Sequence, residues 1–163
     1  MPMDPHGLAL IAAASLAPSA GAAGVPSPDH LIRPGVGAGG VRLGMSEGQV
    51  LRVLGRPDDR VAARDARGAV VRLRWAGISV ERWDGPGGRV IGICVTDRGI
   101  RMPNGIGVGT PLDRLRRELP HAACGSPPAV ATIGDPVQGG SITALHFDAR
   151  GRTTEVHVSR VID

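Results

Sequence analysis

The sequence predicts an α+β fold of two tandem units, each with one short helix and three to four antiparallel strands, the helices packed on one face of a shared sheet. Three observations lead there. A helix-opening motif occurs twice: Gly40, Val41, Leu43, Gly44, Val50 and Leu54 are matched 65 residues on by Gly105, Ile106, Val108, Gly109, Leu115 and Leu119. A second match follows in the same order, Trp83-Asp84 with Gly87 against Phe147-Asp148 with Gly151, at an offset of 64. Finally, 25 Gly and 14 Pro among 163 residues punctuate the backbone too often for long helices or a coiled coil.

The elements follow in chain order. Ser46 with Gln49 three residues later reads as a capping box, and Met45 with Val50 as a hydrophobic staple. Gly55 stops that helix as a left-handed cap and Pro57 blocks its continuation, giving a helix over 46–54. Val61–Arg64 and the alternating run Val71–Trp75 flank a turn at Asp65–Gly68 and read as a hairpin. Ile78–Trp83 and Val90–Val95 flank the glycine-rich turn Asp84–Gly88 and read as another. In the second unit Thr110 is the expected cap, Pro111 takes the first helical position, and Leu112, Leu115 and Leu119 form the buried stripe. Ile142–Asp148 and Thr153–Val161 form the last hairpin. Neither unit buries much alone, so the two are expected to join their strands.

Residues 1–23 have a different character. Leu8–Ala17 is a ten-residue apolar stretch, and Ala20-Gly21-Ala22 suits signal peptidase, so the segment reads as a secretory signal despite an amino-terminal region without Lys or Arg. Residues 24–39 read as a flexible linker, with units at 40–104 and 105–163. The two cysteines agree with export: Cys94 and Cys124, thirty residues apart, read as one disulfide. Closing such a loop contributes on the order of 3–4 kcal/mol.

The net charge of +4 is carried by 19 Arg and no Lys, spread from Arg33 to Arg160 among acids. Aromatics are 2% of the chain, which leaves no stacking platforms for bases and excludes the common single-strand nucleic-acid readers. The run Gly35–Gly40 has the spacing of a dinucleotide loop, but Pro34 stands where a strand should end and Val41–Leu43 where a helix should begin. No apolar run is long enough for a membrane-spanning helix. No catalytic triad or carboxylate pair stands out, and no cofactor is implied.

One constellation carries possible chemistry. If Asp148 pairs with Thr153 across the turn at 149–152, His146 faces Glu155 and Ala144 faces His157, while Leu145, Phe147, Val156 and Val158 point inward. His146, Glu155 and His157 then share the outer face and can approach one metal ion.

The doubled motif, a Gly-Val/Ile-x-Leu/Val-Gly turn, a short helix and then hairpins, resembles the tandem units of secreted β-lactamase-inhibitor proteins. It is also similar to the single unit of small envelope lipoproteins of the outer-membrane barrel-assembly machinery. The resemblance runs from Gly40 to Val161, and its structural signature here is Gly40, Gly44, Gly55, Gly105 and Gly109. It implies an exported protein without cofactors that binds another protein. The chain has only Trp75, Trp83 and Phe147 as aromatics and no anchoring cysteine near the signal, so neither β-lactamase inhibition nor lipid anchoring is carried over. The expected role is a non-enzymatic, exported protein-binding module of the envelope or extracellular space. The alternative is a small metal-binding protein or metal-dependent enzyme using the His146, Glu155 and His157 face.

Overall fold

The computed structural model describes residues 29–65, 68–125 and 129–162. The signal segment lies outside the described residues. Pro34 and the glycines between Gly35 and Gly40 break the first stretch into turns. It forms a small antiparallel sheet, β1 (Ile32–Arg33), β2 (Gly37–Ala38) and β3 (Val41–Arg42). Helix α1 (Glu47–Leu54) is followed by β4 (Asp59–Asp65), β5 (Gly68–Trp75), β6 (Ile78–Trp83) and β7 (Val90–Val95). Helix α2 (Leu112–Glu118) is followed by β8 (Ala123–Cys124), β9 (Val130–Ile133), β10 (Ser141–Phe147) and β11 (Thr153–Arg160). The eight strands form one antiparallel sheet of order β4-β5-β6-β7-β11-β10-β9-β8.

This corrects the α+β expectation. Strand takes 47% of the structure and helix 12%, so the protein is mostly β. The two helices among the described residues span only eight and seven residues, too short to build a layer of their own. Nor are there two helix-plus-hairpin units: a separate three-stranded sheet precedes α1, and the remaining eight strands run as one sheet, with β7 pairing with β11 through Val95–Val156, Cys94–His157, Ile93–Val158 and Gly92–Ser159. Unpaired strand edges expose backbone donors and acceptors, and joining β7 to β11 satisfies two edges at once.

The repeated motif has a local meaning. Gly44 and Gly109 both adopt positive φ, 85° and 86°, a conformation that favours glycine. Each donates its N–H to a strand, Gly44 to the Val90 carbonyl (2.8 Å) and Gly109 to the Thr153 carbonyl (2.6 Å). Those two strand residues donate back to the carbonyls of Met45 and Thr110. Both turns thereby pin a helix start to the sheet.

At α1 the capping box forms as expected: Ser46 Oγ accepts from the Gln49 N–H, and Gln49 Oε1 accepts from the Ser46 N–H. Gly55 takes positive φ but an extended ψ of −162°, so it ends the helix without the left-handed cap. At α2 the expected cap is absent. Pro111 occupies the cap position, and Thr110, buried, uses its hydroxyl to accept from the Gly107 N–H.

The inward face of the sheet alternates cleanly. Leu73 is fully buried, and Val80, Ile93, Val158 and Leu145 are buried in one cluster with Val50 of α1 and Leu115 of α2. Trp75 packs on this core and donates its indole N–H to the Gly55 carbonyl, while Trp83 lies on the other face beside Gly68. The linker reading of residues 24–39 is corrected for its described part. Ile32 is fully buried, its N–H bonds the Arg101 carbonyl, and the Arg101 N–H bonds His30. A branched apolar side chain in that segment was enough to draw it into the core.

Glu47 fastens α1 to the sheet. Its carboxylate binds Arg60 of β4 and Arg82 of β6, the latter through Nε at 2.7 Å and a second guanidinium nitrogen at 2.6 Å. Arg82 is only 7% exposed although it points to the core side. Burial alone would raise the Glu47 carboxyl, but the hydrogen bonds and charges of Arg60 and Arg82 outweigh it and hold its pKa below the usual 4.5. A lowered carboxyl pKa adds stability at neutral pH, and that stability disappears as pH falls below about 4.5 through the native value.

Two outcomes check this. Glu47→Gln leaves the buried Arg82 without its counter-charge; because Glu47 itself is partly solvated, urea unfolding should show a loss of about 1–2 kcal/mol, with a flatter stability curve below pH 4.5 than the wild type. Leu145→Ala, at a fully buried position, should cost about 2–5 kcal/mol, against at most about 0.5 kcal/mol for Val137→Ala at an exposed one.

Candidate functional site

The outward face of the sheet is built by the residues between the core positions. Pairing sets them in rows across the strands. One row reads Arg74, Ser79, Cys94, His157 and Ala144 on β5, β6, β7, β11 and β10. The neighbouring row reads Arg72, Glu81, Gly92, Ser159 and Ile142. Gly92 has no side chain at the centre, so the longer groups around it enclose a cleft of about 520 Å³. A Cβ built on Gly92 would meet only ordinary contacts, the nearest at 3.5 Å to Glu81. The hollow therefore comes from the missing side chain and not from backbone geometry.

The walls carry charge of both signs. Arg72 Nε donates to Glu81 Oε1 at 3.0 Å, a partly buried pair. Arg74 meets Asp59 at 3.8 Å with both side chains about half exposed, so this pair is weak, on the order of 0–1 kcal/mol. Glu155 and His157 stand on the other side. His157 Nε2 lies 3.1 Å from Glu155 Oε1 but off hydrogen-bond geometry, and it is closed to solvent without a partner. Such a group costs on the order of 1–3 kcal/mol unless something binds it.

His146 faces Glu155 and Ala144 faces His157 as expected, but Thr153 pairs with Phe147 and not with Asp148: a bulge between His146 and Phe147 shifts the register at the turn, where the Asp148 N–H bonds the Arg152 carbonyl. The rings of His146 and His157 are 4.9 Å apart. The tight cluster of ligand atoms is a different one. Cys94, Glu155 and His157 each offer an atom within 4.8 Å of the other two, and His146 is not part of that group. Cys94 was read from the sequence only as a disulfide partner. Its place here depends on β7 pairing with β11, which no local pattern announces; the one available signal was its parity with Gly92 on an otherwise apolar strand.

The disulfide reading is corrected as well, since Cys94 and Cys124 are free thiols. They sit on β7 and β8, four strand spacings apart in the sheet, roughly 19 Å at the usual strand separation. A bridge needs Cα atoms within about 7 Å. Spacing in sequence gave no warning because the order of strands in the sheet is not their order in the chain.

Burial is the main reason that the Cys94 thiol is pushed up to about 12. The charge of Glu155, with its hydrogen bond to the sulfur at 3.8 Å, adds to this, and Glu81 adds a smaller push. A hydrogen bond with Ser79 opposes them. At neutral pH the group is a thiol and a poor nucleophile.

No family model and no curated protein matches the chain. Among solved structures, an extracellular protein containing an SCP domain from Bacillus anthracis is similar, with a TM-score of 0.49 and 13% identity. The match covers 72% of this chain and 44% of that one, so this chain spans less than half of its length. Among the described residues, no helix is long and apolar enough to cross a membrane.

Thiol chemistry tests this geometry. Titration of the denatured, non-reduced protein should find two free thiols. In the native protein at pH 8, Cys94 should react with iodoacetamide at least about 100-fold more slowly than glutathione, because a pKa near 12 leaves almost no thiolate. Peptide mapping showing a Cys94–Cys124 bridge, or rapid labelling of Cys94, would contradict the arrangement.

Proposed function

We propose that this protein is an exported, non-enzymatic binding module that holds a segment of a partner protein in the cleft on the outer face of its large sheet. The observation that carries the reading is the cleft itself, about 520 Å³, open above Gly92 and walled by Arg72, Arg74, Glu81, Glu155 and Ser159. The sheet beneath it is rigid, its backbone bonds already made, so little entropy is lost on binding. Among the described residues Arg74 meets a carboxylate only in a long, exposed contact with Asp59, which it can exchange for a partner carboxylate. An acidic loop is therefore the fitting occupant, and the net charge of +4 favours its approach. Export rests on the apolar stretch Leu8–Ala17 and the Ala20-Gly21-Ala22 site. The resemblance to secreted inhibitor proteins and envelope assembly lipoproteins supports a protein as the partner.

Affinity capture from the secreted and envelope fractions of the native organism tests it, with three baits compared. Wild type should retain one protein, while Gly92→Leu, which fills the hollow, and Arg74→Glu, which repels an acidic loop, should both lose it at unchanged melting temperature. Equal capture by all three baits, or by none, would remove the cleft from the account.

A further inference from the structure

We propose that Cys94, Glu155 and His157 form a three-residue site for one zinc-class divalent ion, with a fourth coordination position facing the cleft. This goes beyond the protein-binding role and stands independently of it. The three donors are a sulfur, a carboxylate oxygen and an imidazole nitrogen, the mixture that zinc accepts in tetrahedral sites. Three atoms no more than 4.8 Å apart share a point within about 2.8 Å of each. Tetrahedral coordination at about 2.0–2.3 Å spaces its donors about 3.3–3.8 Å apart, so the widest separation here, at most 4.8 Å, closes by roughly 1 Å through side-chain rotation to complete the set.

A second observation points the same way. His157 Nε2 is shut off from solvent and makes no hydrogen bond, although Glu155 Oε1 is 3.1 Å away. An imidazole nitrogen withheld from water, without a hydrogen bond and beside a carboxylate and a thiol, is available to ligate a metal ion. The strands fix all three residues: Cys94 and His157 are directly opposed across the β7–β11 pair, and Glu155 is two residues before His157 on the same face. Sites built on strands hold their geometry better than sites on loops. Ser79, opposite Cys94 on β6, bonds the sulfur and acts as an outer partner.

The charges that face the site balance. Arg72 is engaged by Glu81, Arg74 faces Asp59, and Glu155 with the sulfur supplies the negative charge for a dication. On binding, the Sγ–H bond breaks, the sulfur keeps the electron pair and bonds the metal, and the proton leaves to solvent. The fourth position opens into the cleft above Gly92, where water or a carboxylate can bind. His146, with its ring 4.9 Å from that of His157, is a neighbour and not a ligand in this assignment.

The test is calorimetric titration of the reduced full chain with zinc, together with the absorption spectrum of its cobalt form. One equivalent of zinc should bind and raise the melting temperature by about 4 °C or more at tenfold excess over Kd. The cobalt form should show a near-ultraviolet thiolate-to-metal charge-transfer band, a readout that needs no variant. Cys94→Ser and Glu155→Gln should each weaken zinc by at least about 100-fold, since losing even an outer partner costs up to that much. His146→Ala should stay within about threefold. Failure of zinc to bind, absence of the thiolate band, or loss on His146→Ala but not on Cys94→Ser would overturn the assignment. A negative titration leaves the protein-binding role standing, because that role is read by capture and not by metal.

Discussion

The pairing of β7 with β11 is the constraint on which the molecule depends. It links strands that are more than sixty residues apart in sequence, from Gly92–Val95 to Val156–Ser159, and turns two groups of four into one sheet. On the inward face it places Ile93 beside Val158 and Val95 beside Val156, four fully or nearly fully buried side chains at the middle of the core. On the outward face the same pairs place Cys94 beside His157 and Gly92 beside Ser159. Core and cleft are two sides of one set of hydrogen bonds, because successive residues of a strand point to opposite faces.

The aromatic-poor composition makes this economy necessary. With one Phe and two Trp, the core is filled by branched aliphatics that interdigitate between the sheet and two short helices. Such helices do not hold themselves, and each is tied down at several points. For α1 these are the capping box, the Trp75 indole on Gly55, and the Glu47 carboxylate between Arg60 and Arg82. The Arg82 pair is the most buried of these contacts and sits where an apolar residue would have completed the alternation of β6. Its charge is tolerated because Glu47 and the carbonyls of Trp83 and Gly85 surround the guanidinium.

The polar face follows a different rule. Exposed sheet faces usually carry long charged side chains that cover one another. Here Gly92 interrupts the cover, and the groups at its margin include a thiol and an imidazole nitrogen kept from water. Polar groups withdrawn from solvent without full hydrogen bonding are a common mark of a place that meets something else.

Much of this was legible in the residues. The hairpin partners Ile78–Trp83 and Val90–Val95, the capping box at Ser46, and the facing of His146 with Glu155 are local consequences of alternation, turns and caps. Other features were not. Thr110 abandoned its expected capping role for the buried loop around Gly107, where tertiary hydrogen bonds outweighed a local preference. Ile32 left the expected linker for the core because burial of one apolar side chain depends on what lies opposite it, here Arg101 and the small sheet. The sequence by itself determined the strands β4–β7, β10 and β11, their faces and the capping box that begins α1, since these follow from interactions within a few residues, while β1–β3, β8, β9 and the start of α2 carried no such local signal. Only the tertiary structure decided that the class is mostly β, that the two cysteines lie four strands apart, and that Cys94 joins Glu155 and His157. Which strand edge meets which is settled by global burial, and a chain read in order holds no local record of it.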